Sequence, residues 1–157
     1  MGVAGCGKSS VGEALSVRLG IPYRDGDDLH TPEAVEKMRV GIPLTDEDRW
    51  PWLDRVAGVL ASEAPIMVGC SALKRAYRDR IRAGAGGLVQ FVHLSGTREL
   101  IASRMAARTG HYMPTSLLDS QFAALEAPGP LEALTVDIDQ PLAAIVDAIL
   151  PQIGAAQ

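Results

Sequence analysis

Residues 2 to 9 read Gly-Val-Ala-Gly-Cys-Gly-Lys-Ser, which satisfies the spacing G-x-x-x-x-G-K-[ST] at every specified position. No other segment restricts the fold as much. The glycines let the backbone wrap closely around an anion with its N–H groups turned inward, and the residues that follow must open a helix whose positive dipole end faces the same point. Val11, Ala14, Leu15 and Leu19 then recur at helical spacing, a continuation that a chance glycine-rich turn does not supply. In this pattern Gly2, Val3, Ala4, Gly5, Cys6, Gly7 and Ser10 complete the cradle, Lys8 reaches the β- and γ-phosphates, and the Ser9 hydroxyl is a Mg²⁺ ligand. ATP and Mg²⁺ are the expected cofactors.

A loop of this kind follows a buried parallel strand, and only Met1 precedes it. The expectation is that an apolar strand belongs ahead of Met1, with Met1 as its last residue and the start assigned late. Without that strand, its neighbours lose hydrogen-bond partners and the core loses an apolar layer.

The rest of the chain alternates strand and helix signals. Ile21–Asp25 reads as a short strand. Thr31-Pro32 reads as an N-cap with proline at the first helical position, and that helix runs to Val40. Thr45 followed by Asp46, Glu47 and Asp48 starts a helix with buried face Leu53, Val56, Val59 and Leu60. Ile66–Cys70 is a continuous apolar strand run, and Lys74–Arg82 is a basic helix that Gly84–Gly87 should stop. Strand 88–94, a Thr97-capped helix through Arg108, a helical face at Leu118, Phe122 and Leu125, strand Leu134–Ile138 and a final helix opened by Pro141 complete the series. The breaker-rich stretch 109–114 predicts a mobile lid around 108–128. With 157 residues, 47 % of them hydrophobic, the pattern predicts one domain over 1–157: a three-layer α/β/α sandwich on a parallel sheet, of the phosphate-loop nucleoside-triphosphate hydrolase-like class.

A net charge of −4 without a basic block argues against a nucleic-acid or membrane-surface partner. Two cysteines and no signal-peptide or bilayer-length apolar run fit a cytoplasmic protein. Cys6 reads as a small residue tolerated where only backbone meets the ligand.

In such sheets ligands bind beyond the C-terminal strand ends, which selects the candidates. Asp25 and Asp27 alternate at a strand end, where Gly26 permits the turn; Asp25 is assigned to Mg²⁺ and Asp27 to orienting or deprotonating the attacking hydroxyl. The plainer reading is an acidic turn. Arg104 and Arg108, four apart on a helix, are placed over the triphosphate, against the plainer reading of a solvated face. His30, Arg49, Trp52, Lys74 and Arg78 are candidates for the second substrate's pocket, with Arg49 and Trp52 one turn apart as a cation beside a flat apolar wall. Trp50 and Trp52 also fit core anchors, and His93 a packed histidine.

Several segments together resemble the gluconokinase family of small phosphate-loop kinases over nearly the whole chain. They are the loop at 2–9, Asp-Gly-Asp-Asp-Leu-His at 25–30, the run 36–49, Pro-Trp-Leu at 51–53, Cys-Ser-Ala-Leu-Lys at 70–74 and Tyr-Arg-Asp at 77–79. Further on are Arg-Thr-Gly-His-Tyr-Met at 108–113, Ser-Gln-Phe at 120–122, Leu-Glu-Ala-Pro at 125–128 and Asp-Ile-Asp-Gln-Pro-Leu at 137–142. The resemblance implies ATP-dependent phosphorylation of D-gluconate at its 6-hydroxyl. It implies Arg49, Arg78 or Lys74 for the sugar acid's carboxylate and Asp27, His30 and Ser71 for its hydroxyls. Asp139 and Pro141 would lie near adenine, and the family is often dimeric. A kinase for another small hydroxy acid such as shikimate, an ATP-binding regulatory protein, and a truncated inactive product stay open as alternatives.

Overall fold

The computed structural model describes residues 1–87, 89–108 and 115–153. Its elements alternate as the pattern predicts: α1 (Lys8–Leu19), β1 (Tyr23–Asp25), a 3₁₀ turn (Gly26–Leu29), α2 (Pro32–Arg39), α3 (Asp46–Ser62), β2 (Met67–Gly69), α4 (Arg75–Ala85), β3 (Phe91–Ser95), α5 (Arg98–Ala106), α6 (Thr115–Ala124), β4 (Ala133–Asp137) and α7 (Leu142–Ile153). Local chemistry sets several starts. The Thr31 and Thr97 hydroxyls accept from Ala34 N–H and Leu100 N–H, and Thr45 and Asp48 form a reciprocal capping box at the head of α3.

Two boundaries differ from expectation. α4 continues through Gly84 to Ala85 and stops at Gly86, which takes the left-handed conformation at φ 86°. Gly84 stays helical because α4 packs tightly on α3: a Cβ there would lie 2.7 Å from the Ala57 side chain. Glycine here serves close approach rather than termination. α5 ends at Ala106, short of Arg108, where the Arg108 N–H turns back to Met105 C=O at 3.2 Å. The stretch 109–114, on which the mobile-lid expectation rests, lies outside the described residues.

All strand pairing is parallel. β1 lies beside β2 with Tyr23 opposite Met67 and Asp25 opposite Gly69, and β3 lies beside β4 from Phe91–Ala133 to Ser95–Asp137. Core residues form two groups. Leu15, Ile101, Leu118, Val136, Val146 and Ile149 belong to one; Trp52, Leu53, Val56, Tyr77 and Ile81 belong to the other. Helices thus cover both faces of the strands, as a layered α/β fold requires.

Between β2 and β3 sits Met1. Its amino group donates to Val92 C=O at 2.5 Å, its carbonyl accepts from Leu94 N–H at 2.9 Å, and Gly2 N–H donates to Ser71 C=O at 3.2 Å. Met1 therefore pairs as one strand residue would. Behind it opens a cavity of about 520 Å³ whose lining includes Leu15, Val56, Met67, Ile81, Phe91 and Val92. Burial in this apolar surrounding lowers the Met1 amino group to about 6. A slot thus lies between the two strand pairs, with Met1 at its edge.

Candidate active site

The phosphate loop wraps as its glycines allow. Gly5 and Gly7 take φ of 77° and 100°, and a Cβ on Gly5 would fall 2.6 Å from Met105 Cγ of α5. Gly7 offers α1 no side-chain cap, so the first-turn amides keep their donor capacity for a ligand. Lys8 Nζ meanwhile folds back on the loop, donating to Gly2 and Val3 C=O at 3.0 Å each. Cys6 is buried.

The acidic pair lies against this loop. Ser9 Oγ donates to Asp25 Oδ2 at 3.3 Å, and Asp25 Oδ1 accepts from Asp27 N–H at 2.9 Å. The second contact shows why the spacing works: Asp25 caps the 3₁₀ turn that carries Asp27. Gly26 must lack a side chain, since a Cβ would meet Gly69 C=O at 2.4 Å. The Asp27 carboxyl is raised from its ordinary value by desolvation and then by the Asp25 charge, while nearby Lys8 pulls it back. Its side chain stays 68 % exposed, so solvent limits that rise. Ser9 and Asp25 supply hard oxygen donors at the head of α1, a set that suits Mg²⁺ completed by phosphate and water. Among the described residues no cluster of three or more His, Cys, Asp or Glu could hold a metal by itself.

His30 is buried, stacked on Trp52 with ring centroids 4.1 Å apart. Burial, then the Arg49 charge, lowers it to about 4, so it is neutral at pH 7. Its Nε2 lies 3.9 Å from Asp27 Oδ1, and its Nδ1 has no partner among the described residues. Trp52 is itself a core anchor, its Nε1–H donating to Gly26 C=O at 2.7 Å. Arg49 consequently lies over a different ring from the one expected: its guanidinium sits 5.5 Å from the centre of Tyr77.

Arg49, Lys74, Asp46, Tyr77 and Ser120 line a polar pocket of about 330 Å³. Lys74 pairs with Asp46 at 3.1 Å, and the Tyr77 hydroxyl donates to the same carboxylate. Arg49 has no carboxylate partner among the described residues, which leaves it as the pocket's uncommitted cation.

Arg78 is elsewhere. Only 1 % exposed, it donates to Ala72 and Leu73 C=O at 2.9 and 3.0 Å, to Glu126 C=O at 2.9 Å and to Glu132 at 2.5 Å. The expectation that it meets substrate is corrected: its donors are spent on the fold. Ser71 borders the loop through its carbonyl, which takes the Gly2 N–H. Arg104 donates to Ile138 C=O at 2.7 Å, tying α5 to the segment that carries Asp139 and Pro141. Asp139 N–H is held by Asp137 Oδ1 at 2.9 Å, and Pro141 C=O accepts from Ala144 and Ile145 at the start of α7. Arg108 is exposed at the end of the described part of α5's exit. His93 is a packed strand histidine as expected, buried and lowered to about 4 by desolvation.

Sequence reasoning missed Gln121, whose Oε1 accepts from Ala4 N–H of the loop at 2.6 Å across 117 positions of chain. Its place in Ser-Gln-Phe at 120–122 was the signal.

No protein-family model matches the chain. A probable gluconokinase of Rattus norvegicus is 41 % identical over 96 % of this chain and 93 % of its own. The thermosensitive gluconokinase of Escherichia coli K12 is 46 % identical over 88 % and 76 %. Among solved structures, a gluconokinase from Sinorhizobium meliloti 1021 superposes with TM-score 0.92 at 52 % identity, covering 99 % of this chain and 89 % of that one. Shikimate kinase from Aquifex aeolicus has TM-score 0.62 at 18 % identity, a likeness of fold alone.

Proposed function

Because the chain belongs to the gluconokinase family, we propose that it catalyses ATP-dependent phosphorylation of D-gluconate to 6-phospho-D-gluconate, with Asp27 receiving the proton of the attacking hydroxyl. The observation that carries the assignment of roles is the run of contacts from Ser9 through Asp25 to Asp27, which sets an acid beside the phosphate loop.

The loop amides and Lys8 hold the triphosphate; to do so, Lys8 exchanges the Gly2 and Val3 carbonyls for phosphate oxygens. Mg²⁺, held by Ser9 with Asp25 ordering its shell, would neutralise charge on the phosphates. Asp27 accepts hydrogen from the gluconate 6-hydroxyl, whose oxygen forms the new bond to the γ-phosphorus as the bond to the bridging oxygen breaks toward ADP. Its pKa, raised by desolvation and by the Asp25 charge, makes it a better proton acceptor than an ordinary carboxylate. Arg49 takes the sugar carboxylate in the polar pocket, and Lys74, Ser71 and neutral His30 take hydroxyls. Arg104 and Arg108 flank the nucleotide with Asp139 and Pro141. A lid over 108–128 would exclude water from the transfer.

The shikimate alternative has only an 18 % identical likeness of fold behind it. No helix among the described residues is long and apolar enough to cross a membrane. A coupled assay of ADP release with and without gluconate tests the proposal. Turnover should require gluconate, and Asp27→Asn should lower kcat about 10²–10⁴-fold while ATP binding stays close to wild type. Gluconate-independent turnover, or full activity in Asp27→Asn, would reject it.

A further inference from the structure

The α6 helix joins the two halves of the site. Leu117 and Leu118 are buried, with Leu118 in the core beside Ile101 and Val146. Ser120 and Ala124 line the polar pocket, while Gln121 turns to the phosphate loop and takes the Ala4 N–H. Just beyond the helix, Glu126 N–H donates to Leu73 C=O at 2.8 Å, fixing its end against the segment that carries Lys74. One helix therefore touches the acceptor pocket and the nucleotide loop through adjacent residues.

Ala4 lies ahead of the amides that open α1. Its N–H is taken by Gln121, while Cys6 N–H turns to Val3 C=O at 3.3 Å, Lys8 grips Gly2 and Val3, and Gly2 N–H reaches Ser71 C=O at 3.2 Å. The Gln121 bond is the long-range side-chain restraint on Ala4, beside the backbone bond from Gly2 to Ser71. A carboxamide also differs from a carboxylate in the property that matters next to a triphosphate. It accepts through Oε1, carries no charge, and keeps two Nε2 donors; among the described residues those donors have no protein partner.

We propose that Gln121 is a positioning residue for phosphoryl transfer: it fixes the Ala4 stretch of the loop in register with the acceptor pocket and turns its neutral carboxamide toward the terminal phosphate. This rests on the gluconate-kinase reading for its turnover arm, though not for its binding arm. Alignment of donor and acceptor is where effective molarity comes from, so a small loss of register lowers the rate out of proportion to the bond removed.

Two variants separate positioning from plain packing. Gln121→Leu keeps the bulk and removes the bond. It should lower kcat about tenfold, raise the share of ADP released without gluconate, and leave the melting temperature within about 2 °C. Gln121→Glu keeps an acceptor for Ala4 N–H but brings a negative charge. It should hold kcat within about threefold of wild type while raising the KM for ATP about tenfold, an effect that shrinks as salt is added. Equilibrium binding of ATP, measured without gluconate, should weaken in Gln121→Glu by the same factor. Wild-type kcat and KM in Gln121→Leu would overturn the proposal. So would unchanged ATP affinity in Gln121→Glu, or a fall in melting temperature that tracks activity in both variants. If ATP binding responds as expected but wild-type protein never turns over gluconate, the functional reading fails and the Gln121 assignment stands.

Discussion

The nucleotide half of the site and the acceptor half are held together in different ways. Around the phosphate loop several side-chain bonds are short in sequence, Lys8 to Gly2 and Val3, Ser9 to Asp25 and Asp25 to Asp27, with Gln121 to Ala4 as the long-range exception. Behind it lies the slot between β2 and β3. The acceptor half is knotted by distant polar anchors: Trp52 to Gly26, Tyr77 to Asp46, Arg78 to Glu126 and Glu132. A motif that binds through its own backbone needs little help from its surroundings to take shape. A pocket for a hydroxylated acid has to be assembled from side chains on separate elements, so its supports are built into the fold.

The sharpest break of this contrast fills the slot. A five-residue β-branched segment fused ahead of Met1 would pair with β2 and β3, and would replace the buried amino group, now lowered to about 6, by a peptide bond. Burial of five apolar side chains at about 1.5–3 kcal/mol each, with ladder hydrogen bonds, exceeds the cost of ordering them at roughly 1–2 kcal/mol per residue. The expected rise in melting temperature is more than about 10 °C for a chain of this size, read by calorimetry. An unchanged transition would mean the strand pairs do not need a central partner.

The two halves should then fail differently. Lys8→Met removes a charge whose hydrogen-bond partners among the described residues all lie in the loop: Gly2 and Val3 C=O and Cys6 Sγ. We expect kcat to fall about 10²–10³-fold with the melting curve nearly unmoved. Arg78→Met should do the reverse. It takes the nearest cation from Glu132, 18 % exposed, leaving Arg82 at 3.8 Å, and removes the guanidinium donors from the Ala72, Leu73 and Glu126 carbonyls, at a stability cost of about 3 kcal/mol. Activity per folded molecule at low temperature should stay near wild type. A Lys8 variant that unfolds, or an Arg78 variant that keeps its stability but loses gluconate saturation, would contradict the division.

That division also explains what could be read from the chain alone. The loop, the acidic pair and the alternation of elements are local patterns. Helix starts at Thr31, Thr45 and Thr97 were legible for the same reason. Contacts across the fold were not. Nothing local distinguishes Arg78, which is buried, from Arg75 and Arg80 on the same helix, whose side chains are 75 % and 43 % exposed. Arg49 was expected against Trp52, one turn away, because helical spacing is all that sequence offers; tertiary packing buried Trp52 under His30 and gave Arg49 the Tyr77 ring instead. Gly84 looked like a helix stop and is a contact with Ala57. Gln121 reaches Ala4 from the far part of the chain, a pairing no periodicity reports.

The mildest effect concerns pH, and it touches both halves through one histidine each. His30, under the acceptor wall, and His93, in β3, are buried and lowered from 6.5 to about 4 by desolvation. A histidine whose folded value is depressed binds fewer protons folded than unfolded, so stability falls as pH drops below the unfolded value and stops falling below the folded one. The window is therefore about pH 6.5 down to 4, with a loss on the order of 3 kcal/mol for each histidine. His30→Asn and His93→Asn should each flatten part of the slope between those limits in urea titrations at constant ionic strength. The parts differ in their causes: after burial, His30 feels the Arg49 charge, whereas His93 feels the Met1 amino group. Fusing the apolar segment ahead of Met1 removes that charge, so it should soften the His93 contribution and leave the His30 contribution as it was. A slope that survives both histidine substitutions would place the acid sensitivity in the carboxylates, chiefly Asp48, held at about 2 by Lys37 and the Thr45 backbone, and would move the loss to lower pH.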